Sequence, residues 1–144
     1  MIEIKFRAFE GSAIHYGLPY YDCDGDIAFV NDCGFDCDFD FETLTQYIGL
    51  KDIDGCEIFE SDICEVMYYT PFGDKTNDFY GRWVVKKWMG QFVLVSGKER
   101  LSFIDFANST SSEYVSNLGT VLEFSESVNV RVIGNEIQNP ELLK

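Results

Sequence analysis

Along the first residues apolar and charged side chains alternate, with Ile2, Ile4, Phe6 and Ala8 set between Glu3, Lys5 and Arg7. A period of two is that of a strand with one buried and one wet face, so the pattern predicts a first β-strand whose charges point to water. Residues 57–69, 82–88, 91–96 and 128–133 are short runs rich in β-branched and aromatic side chains, each bounded by turn residues. Asp54-Gly55, inside "KDIDGCEI", has the chemistry of a tight hairpin, and Met89-Gly90 marks a second reversal. Helix is scarce. Residues 110–118 carry a Ser/Thr cap signal ahead of Gly119 and predict two helical turns, and Pro140 suits the start of a short terminal turn. Residues 70–81, "TPFGDKTNDFYG", read as a long polar loop. Several short strands between turn signals imply a mainly β protein, a sandwich or small barrel.

A chain of 144 residues falls in the range of one compact domain, here 1–144, and can bury roughly 68–70% of the surface its unfolded form exposes. No run approaches the eighteen or so apolar residues of a membrane helix, and the alternating start lacks the hydrophobic stretch of a secretory signal. Five cysteines are an odd, scattered set, which fits a reducing cytoplasm and small half-buried hydrophobes better than a disulfide framework. Cys33 and Cys37 supply half of a zinc-like spacing with no second pair, so neither a metal nor a cofactor is expected.

Charge changes the picture. Eleven basic and 25 acidic residues give a net charge of −14, well beyond the magnitude of about 2–8 that solubility asks of a small domain. Residues 22–42 are densely acidic and contain no basic residue. Such a field repels nucleic acid and anionic membrane, which excludes both as partners. Within it Asp36, Asp38, Asp40 and Glu42 alternate with Phe35, Cys37, Phe39 and Phe41. As a strand this places the carboxylates in an outward comb at intervals of about 6.6 Å. Repulsion between neighbours at that spacing is only about 0.6 kcal/mol in water. Burial of two or three phenylalanines, at about 1.5–3 kcal/mol each, outweighs it. The comb therefore reads as a solvated face, or as an imitation of a nucleic-acid backbone aimed at a basic protein groove.

Asp22, Asp24 and Asp26 resemble the opening of a calcium loop, but Ile27 and Cys33 stand where that loop needs glycine and a bidentate glutamate. The single histidine, His15, has no nucleophile motif beside it, and no glycine-rich phosphate loop is present. The chain reads as a non-enzyme. A divalent-metal-dependent hydrolytic enzyme built on Asp22, Asp24 and Asp26 is the alternative.

Three blocks, "IKFRAFE", "LTQYIGLKDIDGCEIFESDI" and "VIGNEIQNPELL", resemble in order the signatures of the YopX-like proteins encoded by bacteriophages and prophages. That family has no established biochemical activity. The resemblance implies an SH3-like small barrel with additional N-terminal strands and little helix. With the absence of a signal stretch, the chain reads as an interaction module in the cytoplasm of a bacterial host that acts through contacts with a host or phage protein, its exposed strand edges open to self-association. Ser61, Ile48 and Cys56 depart from the pattern, which has glycine, threonine and lysine there. The motif residues Gln46, Tyr47, Gly49, Lys51, Asp52, Gly55, Asp62, Gly134, Asn135, Asn139 and Pro140 read as structural. Tyr47 belongs to the core or its rim, Gly49 and Gly55 meet backbone needs, Asp52 is a turn acceptor, and Asn135 and Asn139 hold the tail. The rival reading gathers Gln46, Tyr47, Lys51, Asn135 and Asn139 on one binding surface, and Tyr68, Tyr69, Trp83 and Trp88 in an SH3-type groove.

Overall fold

The computed structural model of the protein describes residues 3–69, 75–103, 113–116, 119–122 and 128–143. Two five-stranded antiparallel sheets make up most of it. In the N-terminal sheet, β1 (Phe6–Glu10) is central, flanked by β2 (Ala13–Tyr21) and β4 (Asp40–Lys51), with β3 (Ile27–Asn31) and β5 (Glu57–Phe59) at the edges. The C-terminal sheet runs β12 (Val130–Asn135), β6 (Asp62–Tyr69), β7 (Lys75–Trp88), β8 (Gln91–Ser96) and β9 (Glu99–Ser102). A separate ribbon pairs β10 (Glu113–Ser116) with β11 (Gly119–Leu122), and a 3-10 turn, Pro140–Leu143, follows β12.

The main core joins the sheets. Ile58 of β5 packs with Cys64 and Val66 of β6, Trp83 and Val85 of β7, Leu94 of β8 and Val130 of β12, while Ile48 and Leu50 of β4 close it from the N-terminal side. Trp83 is thus core, and Trp88 is exposed with the Arg100 guanidinium 3.6 Å over its ring. The side chains of Tyr68 and Tyr69 lie outside the described residues.

Four expectations are corrected. The C-terminal sheet does not close into an SH3-like barrel. The outer edge of β12 is taken instead by the β4–β5 turn, with the Ile53 N–H donating to the Val130 carbonyl and the nearby Val128 N–H donating to that of Lys51. Residues 75–81 belong to β7, where Phe79 pairs with Met67 and Lys75 with Tyr69, because backbone pairing is indifferent to side-chain polarity; residues 70–74 lie outside the described residues. Residues 113–116 form a strand, since two turns of helix are too short to hold without packing, while Tyr114 and Val115 suit a ribbon; residues 110–112, 117 and 118 lie outside the described residues. Finally, β1 buries both faces. Arg7, Ala8 and Phe9 are all buried while Ile4 is exposed, because the expected wet face of β1 is covered by Phe59 of β5 and Asp62 of β6.

The reversals behave as their residues require. Met89 and Gly90 both adopt positive φ, at 48° and 79°, and the hairpin at Asp54-Gly55 forms with Gly55 at φ 86°. Ser61, where the family pattern has glycine, links β5 to β6 at φ 76°. It is held there by its N–H on the Val85 carbonyl and its carbonyl on the Glu136 N–H. A side chain in this region costs about 1–2 kcal/mol, and glycine's extra unfolded entropy offsets about 0.5–1 kcal/mol of the relief. Ser61→Gly is therefore expected to raise the unfolding free energy by about 0.5–1 kcal/mol, measured by urea denaturation; an unchanged or lower value would show that Ser61 is unstrained.

Candidate functional site

One local device recurs three times and decides where the acidic residues point. In 22–26 (DCDGD), 31–35 (NDCGF) and 52–56 (DIDGC), the first side chain accepts the backbone N–H groups two and four residues on. Asp22 Oδ1 does so at 3.0 and 3.0 Å, Asn31 Oδ1 at 3.0 and 2.9 Å, and Asp52 Oδ1 at 2.9 and 2.8 Å. The fourth residue is a glycine at positive φ each time. Aspartate or asparagine is suited because its short side chain reaches its own backbone two residues ahead, and glycine meets the left-handed angle without a Cβ clash. The calcium-like "DCDGD" is thus a hairpin turn. Asp24 and Asp26 are exposed, and among the described residues no group of three His, Cys, Asp or Glu is placed to hold a metal ion. Cys23, Cys33 and Cys56 share these turns and are exposed, correcting the half-buried expectation. Cys64 is buried in the core, where burial pushes its thiol up.

The predicted comb is only partly a comb. Asp36, Asp38, Asp40 and Glu42 are all exposed, yet no continuous strand carries them. Asp36 bridges to Val30 and the Cys37 N–H bonds the Phe29 carbonyl, so this piece lies along the edge of β3, and β4 starts anew at Asp40. There the Asp40 carboxylate takes the Glu42 N–H at 3.2 Å and its carbonyl takes the Thr43 hydroxyl at 2.6 Å, local bonds that compete with a regular ladder. The apolar face does not bury as a set. Phe39 packs on Phe29 with ring centroids 5.7 Å apart, whereas Phe35 and Phe41 are 70% and 59% exposed. Asp36 accepts a 2.8 Å bond from the Tyr20 hydroxyl, which holds that phenol above its ordinary pKa.

The three sequence blocks meet at a cleft of about 610 Å³ lined by Lys5, Arg7, Tyr16, Glu57, Asp62 and Asn135 among others. Its floor is a buried ion pair. Arg7 and Asp62 are 5% and 2% exposed, with Nη1 to Oδ1 at 2.7 Å. The guanidinium also donates to Thr45 Oγ1 and the Glu60 carbonyl, both at 3.1 Å, and lies over Phe59 at 4.8 Å and Phe9 at 5.3 Å. The second Asp62 oxygen accepts the Phe59 N–H at 2.7 Å. Burial pushes the Asp62 carboxyl above the ordinary carboxylate range, with Arg7 and that N–H pulling the other way. Lys5 at the rim bonds Glu57 at 3.0 Å.

The remaining motif residues support this junction. Asp52, 1% exposed, accepts the Val132 N–H on its second oxygen at 3.0 Å and so ties the hairpin turn to β12. Tyr47 is buried against Phe59, the Gln46 carbonyl accepts the Glu60 N–H, Gly49 has φ 87°, and Lys51 pairs with Glu57 across the β4–β5 ladder. Gly134 lets the tail fold back, since a Cβ there would sit 2.7 Å from Asn139 Oδ1 and 2.9 Å from Leu142. The Asn135 N–H donates to Asn139 Oδ1 and its own Oδ1 accepts the Gln138 N–H at 2.8 Å, after which Pro140 opens the 3-10 turn. Of Gln46, Tyr47, Lys51, Asn135 and Asn139, the structure buries Tyr47 and Asn135, brings the two asparagines together, and places only Asn135 in the lining of the cleft. Arg7 is the residue that pattern reading missed. His15 pairs across the ladder with Ala8, and its Nε2 lies 3.8 Å from Glu10.

Comparison with known proteins adds the family. The family model described as YopX protein matches residues 5–144. A solved structure similar to this chain is that of protein EF1440 from Enterococcus faecalis, at 20% identity over 100% of both chains with a TM-score of 0.61, a likeness of fold. No curated protein matches. Among the described residues no helix is long and apolar enough to cross a membrane.

Two measurements test this geometry. Asp62→Asn alone is expected to cost about 3–5 kcal/mol, because it strands a buried guanidinium, and the pair Arg7→Met with Asp62→Asn should recover a large part of that loss in urea denaturation. A double variant no better than the single one would refute the stranded-charge account. In a pH titration followed by tyrosine NMR, Asp36→Asn should move the Tyr20 ionisation down toward the ordinary tyrosine value, since the carboxylate stabilises the neutral phenol; no movement would mean the bond is absent in solution.

Proposed function

The chain belongs to the YopX protein family, and from that premise and the placement of its charges we propose that it is a phage- or prophage-encoded, non-catalytic interaction module. It works in the host cytoplasm by presenting the acidic side of its N-terminal sheet to a basic partner protein, host or phage. The observation that carries this reading is a separation of charge. Between Arg7 and Lys51 the sequence has no lysine or arginine, and Asp24, Asp26, Asp32, Asp36, Asp38, Asp40 and Glu42 are all exposed. A one-signed outward surface steers association with a partner of the opposite sign and suppresses wrong ones.

Mimicry of a nucleic-acid backbone is the finer form of the same reading: outward carboxylates on turns and strand starts stand in for phosphates in a basic groove. The hydrolase alternative has less in its favour. The Asp22 Oδ1 atom is already shared by two N–H groups, and neither Asp22, Asp24 nor Asp26 lines the cleft.

Affinity capture from host lysate at low salt, with mass spectrometry, identifies the partner. Exposed ion pairs contribute about 0.2–1 kcal/mol each, so replacing Asp36, Asp38 and Asp40 by asparagine together is expected to weaken binding about tenfold, and added salt should weaken the wild type steeply. Full binding by the triple variant at low salt would end the proposal.

A further inference from the structure

The β2 strand carries Tyr16, Leu18 and Tyr20 at alternate positions, and these stay 39%, 46% and 41% exposed. Alternate residues of a strand share a face and lie about 6.6 Å apart, so the row is about 13 Å long. On β3, Val30 pairs with Leu18 and Ala28 with Tyr20, which widens the strip without covering it. Single exposed apolar residues are ordinary, but a contiguous row rimmed by polar groups marks a recognition surface.

Two carboxylates flank the row: Asp32 at its inner end, and Asp36 across β3, where it bridges to Val30 opposite Leu18. Asp32 lines the cleft beside Tyr16 and donates its N–H to the Tyr16 carbonyl, while Asp36 holds the Tyr20 hydroxyl at 2.8 Å. The inner end is braced, because Tyr16 packs on Phe59 with ring centroids 5.6 Å apart. Lys5, the cation that shares the cleft, is engaged by Glu57 at 3.0 Å and Glu3 at 3.3 Å.

We infer that this strip binds an extended segment of a partner protein in which a basic, an apolar and a second basic side chain occupy alternate positions. The apolar side chain seats on Leu18 between the two tyrosine rings, and the cations reach Asp32 beside Tyr16 and the Asp36 carboxylate at the Tyr20 hydroxyl, lying against the ring faces. A second copy of this face is a poor occupant, since its own carboxylates would oppose these. The inference rests on the acidic-surface reading above and specifies what that surface takes.

The test is an NMR titration at low salt with two peptides of one composition. The first reads threonine-lysine-threonine-leucine-threonine-lysine-threonine; the second is an isomer that puts its lysines on opposite faces. The patterned peptide is expected to shift the amides of Leu18, Tyr20, Asp32 and Asp36 and to bind at least fivefold more tightly than its isomer. Leu18→Ser should remove at least fivefold of that affinity, as should Asp32→Asn with Asp36→Asn. Leu18 is nearly half exposed, so its replacement spares the core, and the same spectra report the fold. Equal binding of both peptides, or undiminished binding by Leu18→Ser, overturns the strip while leaving the acidic surface standing. No binding of either peptide overturns both.

Discussion

The structure turns on one guanidinium. Arg7 sits on the central strand of the N-terminal sheet, and its partner Asp62 is the first residue of β6 in the C-terminal sheet. The same side chain reaches Thr45 on β4 and the Glu60 carbonyl in the β5–β6 turn. Neither member of a buried pair of this kind can be abandoned cheaply, because each alone would be an uncompensated charge in a poorly solvating interior. Any arrangement that slid one sheet against the other would separate them. Asp52 acts alongside it: one oxygen shapes the β4–β5 turn while the other holds β12. Two carboxylates are thus spent on assembling the frame.

The other carboxylates follow from that division. In each of the three related turns only the first side chain folds back onto the backbone, so neighbours such as Asp24, Asp26 and Asp32 are left in water. The excess negative charge is therefore concentrated on the β2, β3 and β4 side of the molecule, with basic residues resuming only at Lys51. Repulsion among such exposed groups is small in water and reduced further by salt, which is why the fold tolerates a net charge of −14.

What was legible in the sequence was whatever depends on a few adjacent residues. The hairpin at Asp54-Gly55, the reversal at Met89-Gly90 and the turn at Pro140 have local causes, and the strands 91–96 and 128–133 are close to β8 and β12. What depended on distant neighbours was not. The first strand alternates correctly, yet which face is wet depends on where β5 and β6 lie, and Arg7 is buried for that reason. The comb alternates as well, but Asp40 can bond its own backbone, and Asp36 finds the edge of β3. The barrel expected from the resemblance fails to close because the β4–β5 turn has already taken the edge of β12. The shared Asx-turn pattern, by contrast, is legible in "DCDGD", "NDCGF" and "DIDGC", each an aspartate or asparagine three residues ahead of a glycine.

The cleft and the acidic face also differ in origin. The cleft draws on all three blocks that carry the family resemblance: Lys5 and Arg7 from the first, Glu57 and Asp62 from the second, Gly134 and Asn135 from the third. Within those blocks Arg7 is bonded to Asp62 and Lys5 to Glu57, and a network satisfied internally serves to hold elements in place. The acidic stretch 22–42 lies between the first and second blocks and belongs to neither. Its carboxylates and the exposed side chains of β2 face water with bonding and burial capacity unused. The three blocks thus account for the frame, whereas the acidic stretch is what this chain mounts on the outside of it.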